Sequence, residues 1–386
     1  MPLVSMPRNI FDTHHEAFRE TVRGFTQREV LPHLNSWAAA GRVDRSLFRK
    51  AGELGLLGFA LPERFGGSGV DDFRFNAVLI EELASAGAHA VSMSLSAFND
   101  LIAPYIDALG TKEQKQRWLP SMTAGETIGA IAMTEPNTGS DLKSMSTTAR
   151  QDGDSFVLNG TKTFISSGIL ADIVIVAART DNGSQKRLSL LVVEDGMPGF
   201  TKIGPLNKVG LSAQDTAELI FEDVRVPRAN LLGEAGQGFH YLRHNLPQER
   251  LNIAITSMAL ARRSFDQALT YSLDRSAFGQ RIADFQANRF YLAELATELE
   301  IAQTFVDRCI SEAASRTLDD VTAAMAKWWI TELHLRVVNR SVQLHGGYGF
   351  MREYDTAKDY LDSRATTIYG GTTEIMKEII GRKLTT

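Results

Sequence analysis

Phe156-Val157-Leu158-Asn159-Gly160-Thr161-Lys162-Thr163-Phe164-Ile165-Ser166-Ser167 is the stretch whose reading decides the fold. Phe156 to Leu158 is a short apolar run bounded by turn residues, the pattern of a strand. Asn159-Gly160 tolerates positive φ at both positions and predicts a hairpin turn. Two similar runs follow, Ile173 to Ala178 and Leu188 to Val193. Ala217 to Glu222 then alternates, with Leu219 and Phe221 on one face, and Pro227 closes the run. These strands define a central β domain, residues 128–242.

Outward from it, the spacing changes to that of helices on both sides. Phe18, Val22 and Phe25 recur at intervals of three and four, as do Leu47, Ala51 and Leu54, until Leu61-Pro62-Glu63-Arg64-Phe65-Gly66-Gly67-Ser68-Gly69 breaks the pattern. From Pro247 onward, three long apolar stripes appear. One runs through Leu251, Ile255, Met258, Phe265 and Leu269; the next through Leu292, Leu295, Leu299, Val306 and Ile310; the third through Ala326, Ile330, Leu333 and Val337. Ile375 and Ile379 mark a short last helix. The chain therefore reads as an α+β multidomain protein: an N-terminal helical domain (1–127), a barrel-like β domain (128–242) and a C-terminal four-helix bundle (243–386). Its 386 residues exceed the roughly 250–300 at which a single core stops growing.

A net charge of -5 leaves no clustered basic excess for nucleic acid or an anionic membrane. No apolar run approaches the roughly 20 residues a membrane span needs. No signal or transit peptide is evident at the N-terminus, and the single cysteine, Cys309, suits a reducing compartment, so a bacterial cytoplasmic protein is expected. The neighbours of Cys309 read as helical core, which makes it a buried, inert thiol. No G-x-G-x-x-G follows a strand, no phosphate loop or G-x-S-x-G elbow occurs, and the histidines show no metal-ligand spacing.

Three motifs carry chemistry: Ala132-Met133-Thr134-Glu135-Pro136-Asn137-Thr138-Gly139-Ser140-Asp141, Gln343-Leu344-His345-Gly346-Gly347-Tyr348-Gly349-Phe350 and Ile368-Tyr369-Gly370-Gly371-Thr372-Thr373-Glu374-Ile375. Together they resemble the acyl-CoA dehydrogenase family over essentially the whole chain. The resemblance implies an FAD enzyme that removes an α proton and a β hydride from an acyl-CoA thioester and passes electrons to an electron-transfer flavoprotein. It implies flavin contacts from Met133, Thr134, Gly139 and Ser140, with Ser140 also near substrate. A stacking ring is implied at Phe164 and a hydroxyl for flavin N5 at Ser166, where tryptophan and threonine are common in the family. Arg275, Phe278, Gln286, Gln343, Gly346 and Gly347 are implied to reach the FAD of a neighbouring subunit in a homotetramer, a dimer of dimers, while Thr372 and Glu374 match further cofactor contacts. His345 reads as a turn or packing residue. His89, Ser92, Ser94 and Ser96 fall where the family's acyl tunnel ends.

In most members of the family the catalytic glutamate directly follows the tyrosine of the last motif, and here that position is Gly370. Glycine keeps the backbone N–H that stabilises enolate charge on the thioester oxygen but lacks the base. Leu246-Pro247-Gln248-Glu249-Arg250 resembles the long-chain and branched-chain members, in which the base lies on another helix just before an arginine. Glu249 is therefore the expected base, and Arg250, Tyr369 and Gly370 the expected substrate contacts. Proline suits a first helical turn, so Pro247 predicts that Glu249 sits near a helix N-terminus, where the dipole favours carboxylate. A dry pocket would then raise its pKa. An oxygen-using oxidase or monooxygenase of the same fold and a non-catalytic flavin-binding relative are the alternatives.

Overall fold

The computed structural model describes residues 6–180 and 187–385. Its first part is helical: α1 (Thr13–Phe25), α2 (Leu34–Ala40), α3 (Ser46–Glu53), α4 (Phe73–Ser85), α5 (His89–Ala97), α6 (Ala103–Leu109) and α7 (Lys112–Thr123). Asp12 and Thr111 cap α1 and α7, each in a reciprocal capping box with the third helical residue. Between α5 and α6, Phe98–Ile102 is a π-helical turn, a local widening that often marks a functional site. Leu54, expected on a stripe with Leu47 and Ala51, instead caps α3 and is exposed.

The central strands are β1 (Gly129–Ala132), β2 (Thr148–Asp152), β3 (Ser155–Ser166), β4 (Ile173–Arg179), β5 (Leu188–Glu194), β6 (Phe200–Ile203), β7 (Thr216–Pro227) and β8 (Leu231–Leu232). They lie in the order β6-β7-β3-β2-β4-β5-β8, with β1 parallel to β4. Side-chain alternation along β4 and β5 divides two cores. Ile173, Ile175, Leu190 and Val192 face the N-terminal helices; Val174, Val176, Leu191 and Val193 join Phe156, Leu158, Leu219 and Phe221 in the sheet's own core. The sheet thus curls around one apolar interior.

Asn159-Gly160 is not the hairpin turn its composition suggests. Asp152 pairs with Ser155, so the turn between β2 and β3 falls at Gly153 and Asp154, and Asn159-Gly160 lies inside β3 at a register shift against β7. Gly160 serves a bulge there: its φ is 146°, and a Cβ would stand 2.5 Å from Thr147 Oγ1.

The C-terminal part comprises α8 (Gly238–Asp274), a small hairpin of β9 (Ser276–Ala277) and β10 (Gln280–Arg281), α9 (Gln286–Ala314), α10 (Asp320–His345), α11 (Asp355–Ser363) and α12 (Thr373–Thr385). The three long stripes meet in one core with Ala77 and Ile80 of α4, and Leu269 packs at its edge. Cys309 is buried in it, and burial pushes its thiol up to about 12. Helix α8 begins before Pro247, which lies within it. Glu249 is thus about three turns from the helix start, too far for the terminal dipole argument to hold. No described helix is long and apolar enough to cross a membrane.

Candidate active site

Glu249 and Gly370, distant in sequence, lie against the same stretch of α8. A Cβ built on Gly370 would stand 2.2 Å from Ile253 Cδ1, and Ile253 is one helical turn beyond Glu249. Gly370 has φ 66° and Gly371 has φ 97°, conformations that suit glycine. A side chain at 370 would need both a strained backbone and a displaced Ile253. The glycine therefore lets the loop approach α8 closely.

Glu249 is partly accessible as a residue, yet its Oε1 is shielded from water and has no hydrogen-bond partner among the described residues. Burial pushes its pKa up to about 7, and Arg250 offsets this only in part. A carboxylate so placed is a poor structural element and a good proton acceptor near neutral pH. Arg250 is buried and pairs through Nη1 with Asp320 on α10, so it braces α8. Lys327, buried in α10, donates to the Gly371 carbonyl at 2.6 Å and fastens the glycine loop. Burial lowers that ammonium to about 8.

Tyr369 Oη lies 3.5 Å from His89 Nε2, and burial holds His89 down at about 4, a neutral imidazole. His89, Ser92, Ser94 and Ser96 are all buried; Ser94 Oγ contacts the Ala90 carbonyl and Gln214 Oε1 at 2.9 and 3.1 Å. Met93 and Ala97 are the more accessible residues of α5. Thr372 Oγ1 accepts from Ile375 N at the start of α12, and Glu374 is exposed on its first turn.

In the β domain, the Thr134 carbonyl accepts from Thr163 N at 2.9 Å, tying the end of β1 to β3. Beneath it lies an ion pair that sequence reasoning missed. Lys162 Nζ donates to Glu135 Oε1 and to the Met133 carbonyl, both at 2.9 Å. The two side chains are 0% and 1% exposed. Burial raises the Glu135 pKa, but hydrogen bonds from Ser146, Thr147 and Lys162 outweigh it and hold the group at about 2. Phe164 and Ser166 emerge from β3 beside a second register shift. Phe164 is 69% exposed and its φ is 59°, a strained state for a bulky residue. Gly139 and Ser140 sit in an exposed turn with open space around Gly139.

The remaining expected residues gather elsewhere. Arg275 precedes the β9–β10 hairpin and Phe278 lies in its turn, at the far end of α8, roughly 40 Å along the helix from Glu249. Gln286 starts α9 next to that hairpin. His345 stacks on Tyr271 with ring centroids 4.3 Å apart, and its Nδ1 is 2.8 Å from the Ser341 carbonyl, so it is a packing residue. That stack brings Gln343, Gly346 and Gly347 to the same end of α8; all three are exposed, with nothing near a Cβ on either glycine.

An exposed aromatic, a hydroxyl on the same strand and an open glycine turn fit a flat, phosphate-bearing cofactor such as FAD. The buried hubs Glu135–Lys162 and Lys327 left only a weak trace in the sequence, each a charged residue inside an otherwise apolar or β-forming stretch.

The chain is similar to known proteins along its whole length. The acyl-CoA dehydrogenase N-terminal, middle and C-terminal domains match residues 12–126, 130–224 and 236–385. The mitochondrial long-chain specific acyl-CoA dehydrogenase of Rattus norvegicus is 47% identical over 98% of this chain and 88% of its own. An acyl-CoA dehydrogenase structure from Geobacillus kaustophilus superposes with TM-score 0.95 at 46% identity, covering 98% of this chain and all of the other. One from Bacillus anthracis, complexed with FAD, has TM-score 0.91 at 31% identity and covers 99% of this chain and 68% of that one. With matches running from end to end and a site of this composition, the chain belongs to the acyl-CoA dehydrogenase family of FAD-dependent enzymes acting on acyl-CoA.

Proposed function

We propose that this chain desaturates long-chain or branched acyl-CoA thioesters to trans-2-enoyl-CoA, with Glu249 accepting the α proton. The observation that carries the reading is the water-shielded Oε1 of Glu249, without a hydrogen-bond partner among the described residues and one helical turn from the Ile253 side chain that packs toward Gly370. When bound, FAD supplies the acceptor for the β hydride at its N5. The Gly370 N–H donates to the thioester oxygen as enolate charge develops there, and Lys327 keeps that loop in place through the Gly371 carbonyl. Tyr369 and Arg250 bound the substrate pocket, with Arg250 acting through its brace to Asp320 rather than by direct contact. The likeness to long-chain specific relatives supports the chain-length assignment.

Met133, Thr134, Gly139, Ser140, Phe164 and Ser166 hold the flavin end of the cofactor, with Ser140 also facing substrate and Thr372 and Glu374 nearby. Arg275, Phe278, Gln286, Gln343, Gly346 and Gly347 lie too far along α8 to serve the same chain's base and serve a second copy in a homotetramer. Electrons leave to an electron-transfer flavoprotein, and the protein works in the bacterial cytoplasm.

Anaerobic flavin bleaching by acyl-CoAs of graded length and branching tests the reading, followed by reoxidation with air or with electron-transfer flavoprotein. Fast bleaching by long or branched chains and slow reoxidation by air are expected; no bleaching by any acyl-CoA would overturn it.

Gly370→Ala keeps the N–H but sets a Cβ against Ile253 in a conformation that costs an L-residue about 1–2 kcal/mol. Flavin reduction should slow about tenfold to a hundredfold through misplacement of the loop. Ile253→Ala in the same chain should restore much of the rate. An unchanged rate in Gly370→Ala would remove the loop from the reacting centre.

A further inference from the structure

On the face of α8 next to Glu249 lies a buried polar cluster centred on Asp100, in the π-helical turn between α5 and α6. The Asp100 carboxyl accepts from Gln248 Nε2 at 3.0 Å and from the amides of Asn252 and Asn76. Gln248 and Asn252 are the residues one before and three after Glu249, so two donors come from the turn that carries the base, and the third comes from α4. A cleft of about 680 Å³ reaches this cluster from solvent, lined there by Asn76, Asn99, Asp100, His244, Pro247 and Gln248.

We propose that Asp100 is a positioning residue for the base: its carboxylate, held by the three amides, fixes the turn of α8 that carries Glu249 and places a second negative charge beside it. The proposal rests on Glu249 being the base. Three side-chain amides converging on one carboxyl is an arrangement for an anion, because each N–H then meets a charged acceptor. Turning both amides toward Asp100 leaves the Oδ1 atoms of Asn76 and Asn252 without partners among the described residues, a cost that a charged acceptor at the centre offsets.

Burial pushes Asp100 up to about 7; the three amides oppose that shift and the charge of Glu249 adds to it. The repulsion is reciprocal, so the two carboxyls titrate as a pair, and whichever ionises first makes the other a stronger base. Arg250 on α8 and Tyr105 on α6 interact electrostatically with Glu249, Asp320 of α10 is reached through Arg250, and His244 and Asp107 line the cleft. Across the cleft stand Asp71 and Asp72 before α4 and Arg316 after α9, of which Arg316 pairs with Asp71 and Asp72 with Arg74 and His15.

The test compares FAD-loaded wild type, Asp100→Asn and Glu249→Gln. Flavin reduction by acyl-CoA is followed against pH, and carboxyl protonation is followed by difference infrared spectroscopy without substrate. Glu249→Gln assigns the Glu249 band. Asp100→Asn removes the neighbouring charge, so Glu249 should hold its proton less tightly. Its band and the acidic limb of the rate profile should both move to lower pH, by on the order of half a unit or more, with the plateau rate reduced several-fold. A band and limb that stay in place, or move to higher pH, overturn the proposal. Should Asp100→Asn lose FAD, Asn252→Ala gives the same reading. With one donor gone Asp100 turns toward its neutral form, and the limb moves the same way by less; an unmoved limb again overturns it. A fully active Glu249→Gln would sink the assignment of the base itself, whereas an inactive Glu249→Gln with an unmoved Asp100→Asn profile sinks only the role of Asp100.

Discussion

Glu249→Gln should retain FAD and acyl-CoA while reducing its flavin about 10²–10⁴-fold more slowly than wild type, the range expected when a positioned general base is lost. In the wild type, kcat/KM should fall as pH drops below about 7, because the proton acceptor is then already protonated. The same substitution should stabilise the fold at alkaline pH. The folded-state pKa of Glu249 is raised from 4.5 to about 7, chiefly by burial. The folded chain therefore keeps a proton that the unfolded chain releases, and the stability this contributes is full below the unfolded value. It is lost as pH rises from 4.5 through about 7, at up to about 1.4 kcal/mol per unit, leaving a buried charge that costs about 3 kcal/mol by pH 8. Glutamine carries no such charge. Thermal unfolding of the FAD-loaded proteins at pH 5 and pH 8 checks this: the variant should match wild type at the lower pH and exceed it at the higher. A gap that does not widen with pH would mean that the Glu249 carboxylate is solvated and unsuited to the role.

The order of the three parts was legible because it rests on local rules. Short β-branched runs such as Ile173 to Ala178, bounded by turn residues, favour strands, and Ala326, Ile330, Leu333 and Val337 share one helical face, all buried. What local rules missed was decided by distant neighbours. Gly160 tolerates positive φ, as a turn would need, yet the approach of Thr147 uses that freedom for a bulge. Pro247 suggests a helix start, but α8 has already begun at Gly238, packed against the Leu188 carbonyl of β5. The candidate site was proposed mainly through motif resemblance. Phe164 reads alone as a core aromatic, and its strained, solvent-facing conformation becomes visible only in three dimensions. Asp100 and Lys162 gave no sign of their partners, since a buried charge is defined by what the fold brings to it.

Lys162→Met should be the most destabilising of the changes considered. Lys162 bridges Glu135 and the Met133 carbonyl from a fully buried position, while the second carboxylate oxygen of Glu135 accepts from Ser146 N and Oγ at 2.6 and 2.5 Å. Methionine fills similar space but leaves Glu135 charged and buried without its cation, a change that costs about 3–5 kcal/mol in comparable pairs. The double change Lys162→Met with Glu135→Gln should cost less than Lys162→Met alone, because no uncompensated charge remains. The pH dependence follows from the same pair. Glu135 is held at about 2 against 4.5, so the pair contributes stability that is present above 4.5 and is lost as pH falls toward 2. Lys162→Met should show a shallower loss over that window. The consequence for the site is positional, since the Thr134–Thr163 hydrogen bond stands directly over the pair and Phe164 and Ser166 follow it on β3. FAD should bind the variant more weakly, as read by flavin fluorescence on dilution, and urea unfolding should shift to a lower midpoint. A variant with the wild-type midpoint and wild-type FAD affinity would show that the β domain positions Thr134 and Phe164 without its buried ion pair.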